Sequence, residues 1–272
     1  MSEGRVSRAV LITGCSTGIG RATAERLATA GRTVYATARR LDAIADLAGK
    51  GCKTLQLDVD DEASMQAAVA AIEAAEGGVG VLINNAGYSQ SGAVETVSMA
   101  DVRRQFETNV FGPARLTQLV LPKMRAQGWG KIVNLSSMGG KLTFPGGGWY
   151  HATKYAIEAM SDALRFEVRG FGINVIIIEP GLIRTSFADN VVKQMADVPQ
   201  EEGPYAKFNA QVRKATEEAY VTPPLSWLGG KPEDVAAVIE KAINTSRPKA
   251  RYRVTPSVHF LMTQRAITPD RA

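Results

Sequence analysis

A chain of 272 residues with 45% hydrophobic content can bury one large core, and α/β folds of this size are often a single domain. Its 32 Lys and Arg against 27 Asp and Glu leave a net charge of +5, spread with no long basic run and no nucleic-acid motif; a phosphate-rich small ligand explains that excess equally well. Two cysteines argue against a disulfide framework, and neither a signal-peptide apolar region nor a bilayer-spanning run is seen, so a soluble, cytoplasmic protein is expected.

The first apolar run, Ala9-Val10-Leu11-Ile12, stops at Thr13 and enters Gly14-Cys15-Ser16-Thr17-Gly18-Ile19-Gly20. Helical spacing of Ala22, Ala24, Leu27 and Ala28 follows at once, which reads as strand, tight turn and helix start. Glycines at such a turn let the amides of a helix N-terminus face a pyrophosphate. A purely structural turn is the alternative, and the G-x-x-x-G-x-G spacing differs from the common G-x-G-x-x-G. Cys15 within the turn reads as a small packing residue.

A second strand, 33–37, ends in Ala38-Arg39-Arg40. NAD-preferring dinucleotide folds place an acidic residue near this point to bind the adenosine ribose. Here there is no acid and there are two arginines, so phosphate binding competes with a solvated basic turn before a helix near Leu41. A third strand, 53–57, ends at Asp58. One of Asp58, Asp60, Asp61 and Glu62 is expected to cap the alanine-rich helix 63–75. The fourth strand, 79–83, runs into Asn84-Asn85-Ala86-Gly87, whose amides either hold backbone or line a cleft.

Residues 100–126 read as one long helix with Val102, Phe106, Val110, Phe111, Leu116, Val120 and Leu121 as its buried stripe. Asn109 inside that stripe and Pro113 after it signal a local irregularity. A fifth apolar run (Ile132, Val133, Leu135) delivers Ser136 and Ser137 to a sheet edge. Tyr150-His151-Ala152-Thr153-Lys154 then opens a helix over 150–168, with the phenol and the ammonium four residues apart on one face. A free phenol has a pKa of ~10, and a fixed positive charge nearby lowers it. The pair can therefore move protons on and off an oxygen, whereas a solvated surface pair is the bland alternative. His151 is turned about 100° away from Tyr150 on the helix and reads as structural. Two distant histidines and two distant cysteines give no metal-site spacing, so no metal is expected.

Strand six, 174–178, reads as an apolar, β-branched run and ends in Glu179-Pro180-Gly181-Leu182-Ile183-Arg184-Thr185. Residues 186–230 are expected to form a substrate-binding loop or lid, with Phe187, Val191, Met195, Tyr205, Phe208 and Trp227 closing over a substrate. Lys231-Pro232-Glu233-Asp234 caps a helix to about Ile243, and 251–254 reads as a seventh, edge strand. The tail, 255–272, is weakly amphipathic and suggests no role.

The motifs TGCSTGIG and NNAG, the lone Asn109, the serine before YHATK, and PGLIRT occur in the order and spacing of the short-chain dehydrogenase/reductase family. The chain resembles that family over residues 5–185, and TGCSTGIG and VYATARR are similar to its hydroxysteroid and retinol dehydrogenase branch. The resemblance implies a Rossmann-like α/β fold, a doubly wound parallel sheet of about seven strands in a single domain spanning 1–272. It implies hydride transfer between NADP(H) and a ketone or aldehyde and its alcohol. Tyr150 would be the general acid/base, Lys154 would lower its pKa and bind the nicotinamide ribose, and Ser137, thirteen residues before Tyr150, would hold the substrate oxygen. Asn109 would kink its helix and hold a water linking Lys154 to solvent.

Cofactor contacts would come from Gly14, Ser16, Thr17, Gly18, Ile19 and Gly20 at the first turn and from Arg39. Asp58 and Val59 would lie at the adenine, Asn85, Ala86 and Gly87 at the cleft, and Pro180, Gly181, Ile183 and Thr185 at the nicotinamide. Met138, Leu142, Phe144 and Trp149 suggest a lipophilic small-molecule substrate, steroid-like or retinoid-like. Family members commonly pair through the two long helices, which implies a homodimer or homotetramer. A cofactor-binding regulator and an interaction scaffold are the alternatives, and the intact Ser137, Tyr150 and Lys154 speak against both.

Overall fold

Seven parallel strands form one sheet in the computed structural model, which describes residues 6–185, 203–223 and 225–268. They are β1 (Val10–Ile12), β2 (Val34–Ala38), β3 (Lys53–Gln56), β4 (Val81–Asn84), β5 (Gly130–Leu135), β6 (Ile173–Glu179) and β7 (Arg251–Arg253). The spatial order is β3-β2-β1-β4-β5-β6-β7. Helices α1 (Gly18–Thr29), α2 (Glu62–Glu76), α3 (Met99–Phe106), α4 (Gly112–Ala126), α5 (Gly148–Val168), α6 (Ala206–Val221), α7 (Pro232–Asn244) and α8 (Pro256–Ile267) alternate with or follow the strands.

Side chains alternate across each strand, so a sheet covered on both faces needs apolar residues at every position. Val10 and Ile12 of β1 pack with Leu27 of α1 and Ile239 of α7 on one face. Leu11 points to the other, among Ile72 of α2, Leu116 of α4 and Leu164 of α5. Each fully buried Leu or Ile contributes about 1.5–3 kcal/mol. At the lower end of the sheet, Lys131 donates to the carbonyls of Ile243 and Thr245 at 2.7 and 2.6 Å, which places a cation at the C-terminus of α7.

The order of connection reverses between β1 and β4, and a doubly wound sheet opens its ligand crevice at the carboxyl ends of the strands flanking such a point. The elements differ from the sequence reading in a few places. The segment after β2 is a 3-10 run, Asp42–Lys50, rather than an α-helix. The expected helix over 100–126 is broken by one π turn, Glu107–Phe111, between α3 and α4. Asn109 lies in that turn, and Pro113 brings no N–H to restore the regular ladder. Asp61 is the α2 cap, accepting from the amides of Ala63 and Ser64. Most of the tail is the helix α8.

Phe187, Val191 and Met195 lie outside the described residues. The rest of the expected lid contains the helix α6, and Trp227 is 74% exposed, so it covers nothing here. Among the described residues no helix is long and apolar enough to cross a membrane.

Candidate active site

A cleft of about 640 Å³ opens above the carboxyl ends of β1 and β4. Its floor is the turn between β1 and α1. Gly14 adopts φ +72°, and a Cβ there would come within 2.9 Å of the Ala86 Cα. At Gly20 a Cβ would sit 2.4 Å from both the Asn85 amide nitrogen and the Gly14 carbonyl oxygen. Side chains are excluded at both points, which lets the turn pack closely on Asn85 and Ala86 while the N-terminus of α1 borders the cleft.

Asn85 settles its own two readings: it does both jobs. Its Nδ2 donates to the Thr13 and Gly14 carbonyls at 2.8 and 3.1 Å, and its residue lines the cleft. Thr13 completes the link, because its Oγ1 accepts from the amides of Asn85 and Ala86, each at 3.0 Å. Sequence reasoning passed over Thr13, although a hydroxyl at the end of the first strand was the available signal.

The far wall carries the polar chemistry. Ser137 follows β5 and its Oγ accepts from the Gly139 amide at 3.0 Å. Ser136 also borders the cleft but is 4% exposed, with its Oγ 2.6 Å from where a Gly140 side chain would stand. Tyr150 lies in the first turn of α5 and lines the cleft. Lys154 is buried one turn later, its Nζ donating to the Leu135 carbonyl at 2.7 Å and standing 5.7 Å from the centre of the Tyr150 ring. Burial pushes the Lys154 ammonium down from 10.5 to about 8, and the charge of Glu158 opposes that shift.

His151 borders the cleft, but both of its ring nitrogens are engaged by backbone. Its Nε2 accepts from the Phe144 amide at 3.1 Å, which leaves the proton on Nδ1 to be donated to the Gly139 carbonyl at 3.1 Å. Burial holds its pKa below the usual imidazole value. Neutral His151 thus ties the segment 139–144 to α5.

Asn109 uses its side chain on backbone and hydroxyl groups. It accepts from the Tyr88 amide at 3.0 Å and donates to the Tyr88 carbonyl at 2.8 Å and to Thr153 Oγ1 at 3.1 Å. Gly87 separates it from Lys154: a Cβ there would be 3.0 Å from Asn109 Oδ1 and 3.8 Å from Lys154 Nζ.

Gly14, Ser16, Thr17, Gly18, Ile19, Arg39, Asp58, Val59, Asn85, Ala86, Gly87, Ser137, Tyr150, Lys154, Pro180, Gly181, Ile183 and Thr185 all line this one cleft. Gly20 and Asn109 stand behind its lining, the first packed under the turn and the second behind Gly87. Ala38 lines it as well, and the sequence reading missed Leu57, Asp60, Tyr88, Gln90, Arg104 and Thr108, which also line it. Of the apolar candidates, Met138 and Phe144 line the cleft. Leu142 is buried, and Trp149 donates its Nε1 to the Val94 carbonyl at 3.2 Å, so neither reaches the cavity. Cys15 is fully buried with a thiol pushed up to about 12 by desolvation, as suits a packing residue.

A family model described as short chain dehydrogenase matches residues 8–196. The chain is 38% identical to an uncharacterized oxidoreductase, YbbO, of Escherichia coli (98% of this chain and 92% of that protein covered). It is 35% identical to the 3-ketodihydrosphingosine reductase of Bacteroides thetaiotaomicron (94% and 90%) and 33% identical to the NADPH-dependent 3-dehydrocapnine reductase of Ornithobacterium rhinotracheale (97% and 94%). Its structure superposes on that of a short-chain dehydrogenase from Streptomyces avermitilis with a TM-score of 0.81, at 37% identity over 96% of this chain and 93% of that one.

Proposed function

The chain belongs to the short-chain dehydrogenase family of oxidoreductases, and from that premise we propose that it interconverts a ketone or aldehyde with its alcohol, using NADP(H). The observation that carries the reading is the placement of Ser137, Tyr150 and Lys154 on one wall of the cleft whose floor is the Gly14–Gly20 turn. NADP(H), when bound, supplies or accepts the hydride. The residues present fit it: Gly14, Ser16, Thr17 and Gly18 line the cleft, and the α1 N-terminus beside them favours an anion.

In the reductive direction the Tyr150 hydroxyl gives its proton to the substrate oxygen, and in the oxidative direction the phenolate takes it. Lys154, held by the Leu135 carbonyl, stabilises the phenolate and would bind the nicotinamide ribose of the cofactor. Ser137 donates to the same substrate oxygen and stabilises developing charge. Asn109 is a positioning residue, and its amide is occupied by Tyr88 and Thr153. A water linking Lys154 to solvent therefore falls to its backbone carbonyl in the π turn, where the regular ladder is interrupted. Met138 and Phe144 make the substrate side of the cleft apolar, which favours a lipophilic substrate. Two relatives are named as reductases of 3-keto and 3-dehydro compounds, in keeping with a ketone. A screen of ketones and alcohols with both cofactors tests this reading; binding of cofactor without turnover on any of them would favour a regulator instead.

The cofactor choice rests on Arg39. It follows directly on β2, lines the cleft and makes no ion pair among the described residues. Arg40, the alternative, is paired with Asp42 at 3.5 Å and does not line the cleft. A guanidinium clamps a phosphomonoester with paired, charge-assisted hydrogen bonds. One such contact is worth about 1.5–3 kcal/mol, so NADP should bind roughly ten- to a hundredfold more tightly than NAD. Arg39→Ala should weaken NADP binding and leave NAD nearly unchanged, and Ala38→Asp should reverse the preference by adding repulsion and a ribose acceptor. Equal affinities for both cofactors in the unmodified protein, measured by fluorescence titration, would reduce Arg39 to a solvated turn residue.

Assembly through the long helices is part of the same reading. Phe111, beside α4, and Tyr155 and Phe166 on α5 are 53%, 44% and 78% exposed, an apolar display that pairing would cover. Light scattering at micromolar concentration should give a dimer or tetramer; a monomer would remove the idea.

A further inference from the structure

One turn beyond Lys154, α5 buries a second charged residue. Glu158 is 3% exposed, and its Oε2 accepts from Arg251 Nε at 2.9 Å and pairs with Lys141 Nζ at 3.0 Å. Its other oxygen, Oε1, is buried without a hydrogen-bond partner. A buried carboxylate with an unmet acceptor is costly to keep. Anchoring β7 to α5 does not require it, because Arg251 already donates to Asp162 on the same helix at 2.5 Å.

Glu158 also packs behind the cleft, close to the loop after Ser137 and the backbone of Lys154. Gly140 lies between it and Lys154: a Cβ there would meet Glu158 Cγ at 3.0 Å and the Lys154 carbonyl oxygen at 3.1 Å. The Lys154 ammonium itself touches a neutral acceptor, the Leu135 carbonyl, and faces the ring of Tyr150. Glu158 is the charge that opposes its desolvation.

Charged groups face Glu158 from three elements. Lys141 faces it from the loop before α5 and Arg251 from β7. Glu179 faces it from β6, and Arg253 pairs with Glu179 at 3.4 Å. Burial, and then the charge of Glu158, push the Glu179 carboxyl up.

Resting on the assignment of Lys154 as partner of the Tyr150 phenol, we propose that Glu158 is a positioning residue acting through Lys154. Its carboxylate, fixed by Arg251 and Lys141, keeps the buried ammonium charged and α5 seated against the Ser137 loop.

The test reads Lys154 directly, without a substrate. In the full chain labelled with 13Cε-lysine, the Lys154 resonance is identified by its loss in Lys154→Met and followed through an alkaline titration. The unmodified protein should titrate at about 8. Glu158→Gln should lower that midpoint by about one pH unit, and Glu158→Asp, which keeps the charge, should restore most of it. Lys141→Gln removes a half-exposed cation and should move the midpoint upward, which keeps the test available if Glu158→Gln does not fold. Midpoints unchanged in both Glu158→Gln and Lys141→Gln would overturn the proposal. An unmoved midpoint with an inactive Tyr150→Phe variant removes this inference alone. A moved midpoint with a fully active Tyr150→Phe variant removes the catalytic reading instead.

Discussion

Tyr150→Phe should reduce turnover at least about a hundredfold while cofactor affinity changes little. The phenylalanine ring fills the same space in the first turn of α5, so the fold and the glycine turn across the cleft are left alone. What disappears is the one transferable proton that the site offers to a substrate oxygen. Ser137 cannot replace it, because a serine hydroxyl near neutral pH holds its proton far more strongly than a phenol beside an ammonium does. Steady-state rates with the best substrate of a carbonyl screen, beside a cofactor titration, check both halves of the expectation. Near-full activity in the variant would end the assignment of Tyr150.

Lys154→Met should lower turnover and cofactor affinity together, which separates it from the tyrosine case. Methionine fills the buried volume but removes the charge beside the phenol and the donor toward the ribose. The pH dependence carries a sign of its own. Burial brings the Lys154 pKa down from 10.5 to about 8, so in the free enzyme the ammonium is full below that value and is lost as pH rises through it. The kcat/KM profile should therefore show an alkaline limb near pH 8. In Lys154→Arg, whose guanidinium stays charged, any residual activity should lack that limb. A limb that persists unmoved in Lys154→Arg would assign it to another group and count against tuning of Tyr150 by Lys154.

The sequence by itself determined the sheet and the floor of the cleft, because both rest on local rules. Continuous apolar, β-branched runs such as 175–178 admit little but a sheet covered on both faces. A glycine turn between a strand and a helix start fixes backbone geometry within a few residues, and Tyr150 and Lys154 share a helix face by spacing alone. Arg39 was legible for the same reason, since a missing acid at a strand end is a local fact.

Other features depended on which atoms meet across long sequence separations, and only the tertiary structure decided those. Spacing to Tyr150 favoured Ser137 over Ser136; that Ser137 accepts from the Gly139 amide while Ser136 packs against Gly140 is visible only in the structure. Asn85 is tied to Thr13, 72 residues away, and Asn109 to Thr153, 44 residues away, so neither role could be read from its neighbours. Arg251 meets Glu158 across 93 residues, because β7 joins the sheet beside β6, over which α5 packs. Local spacing says which groups a chain carries to the sheet edge. Which of them face the ligand, and which charges support them from behind, is set by non-local packing that no window of sequence contains.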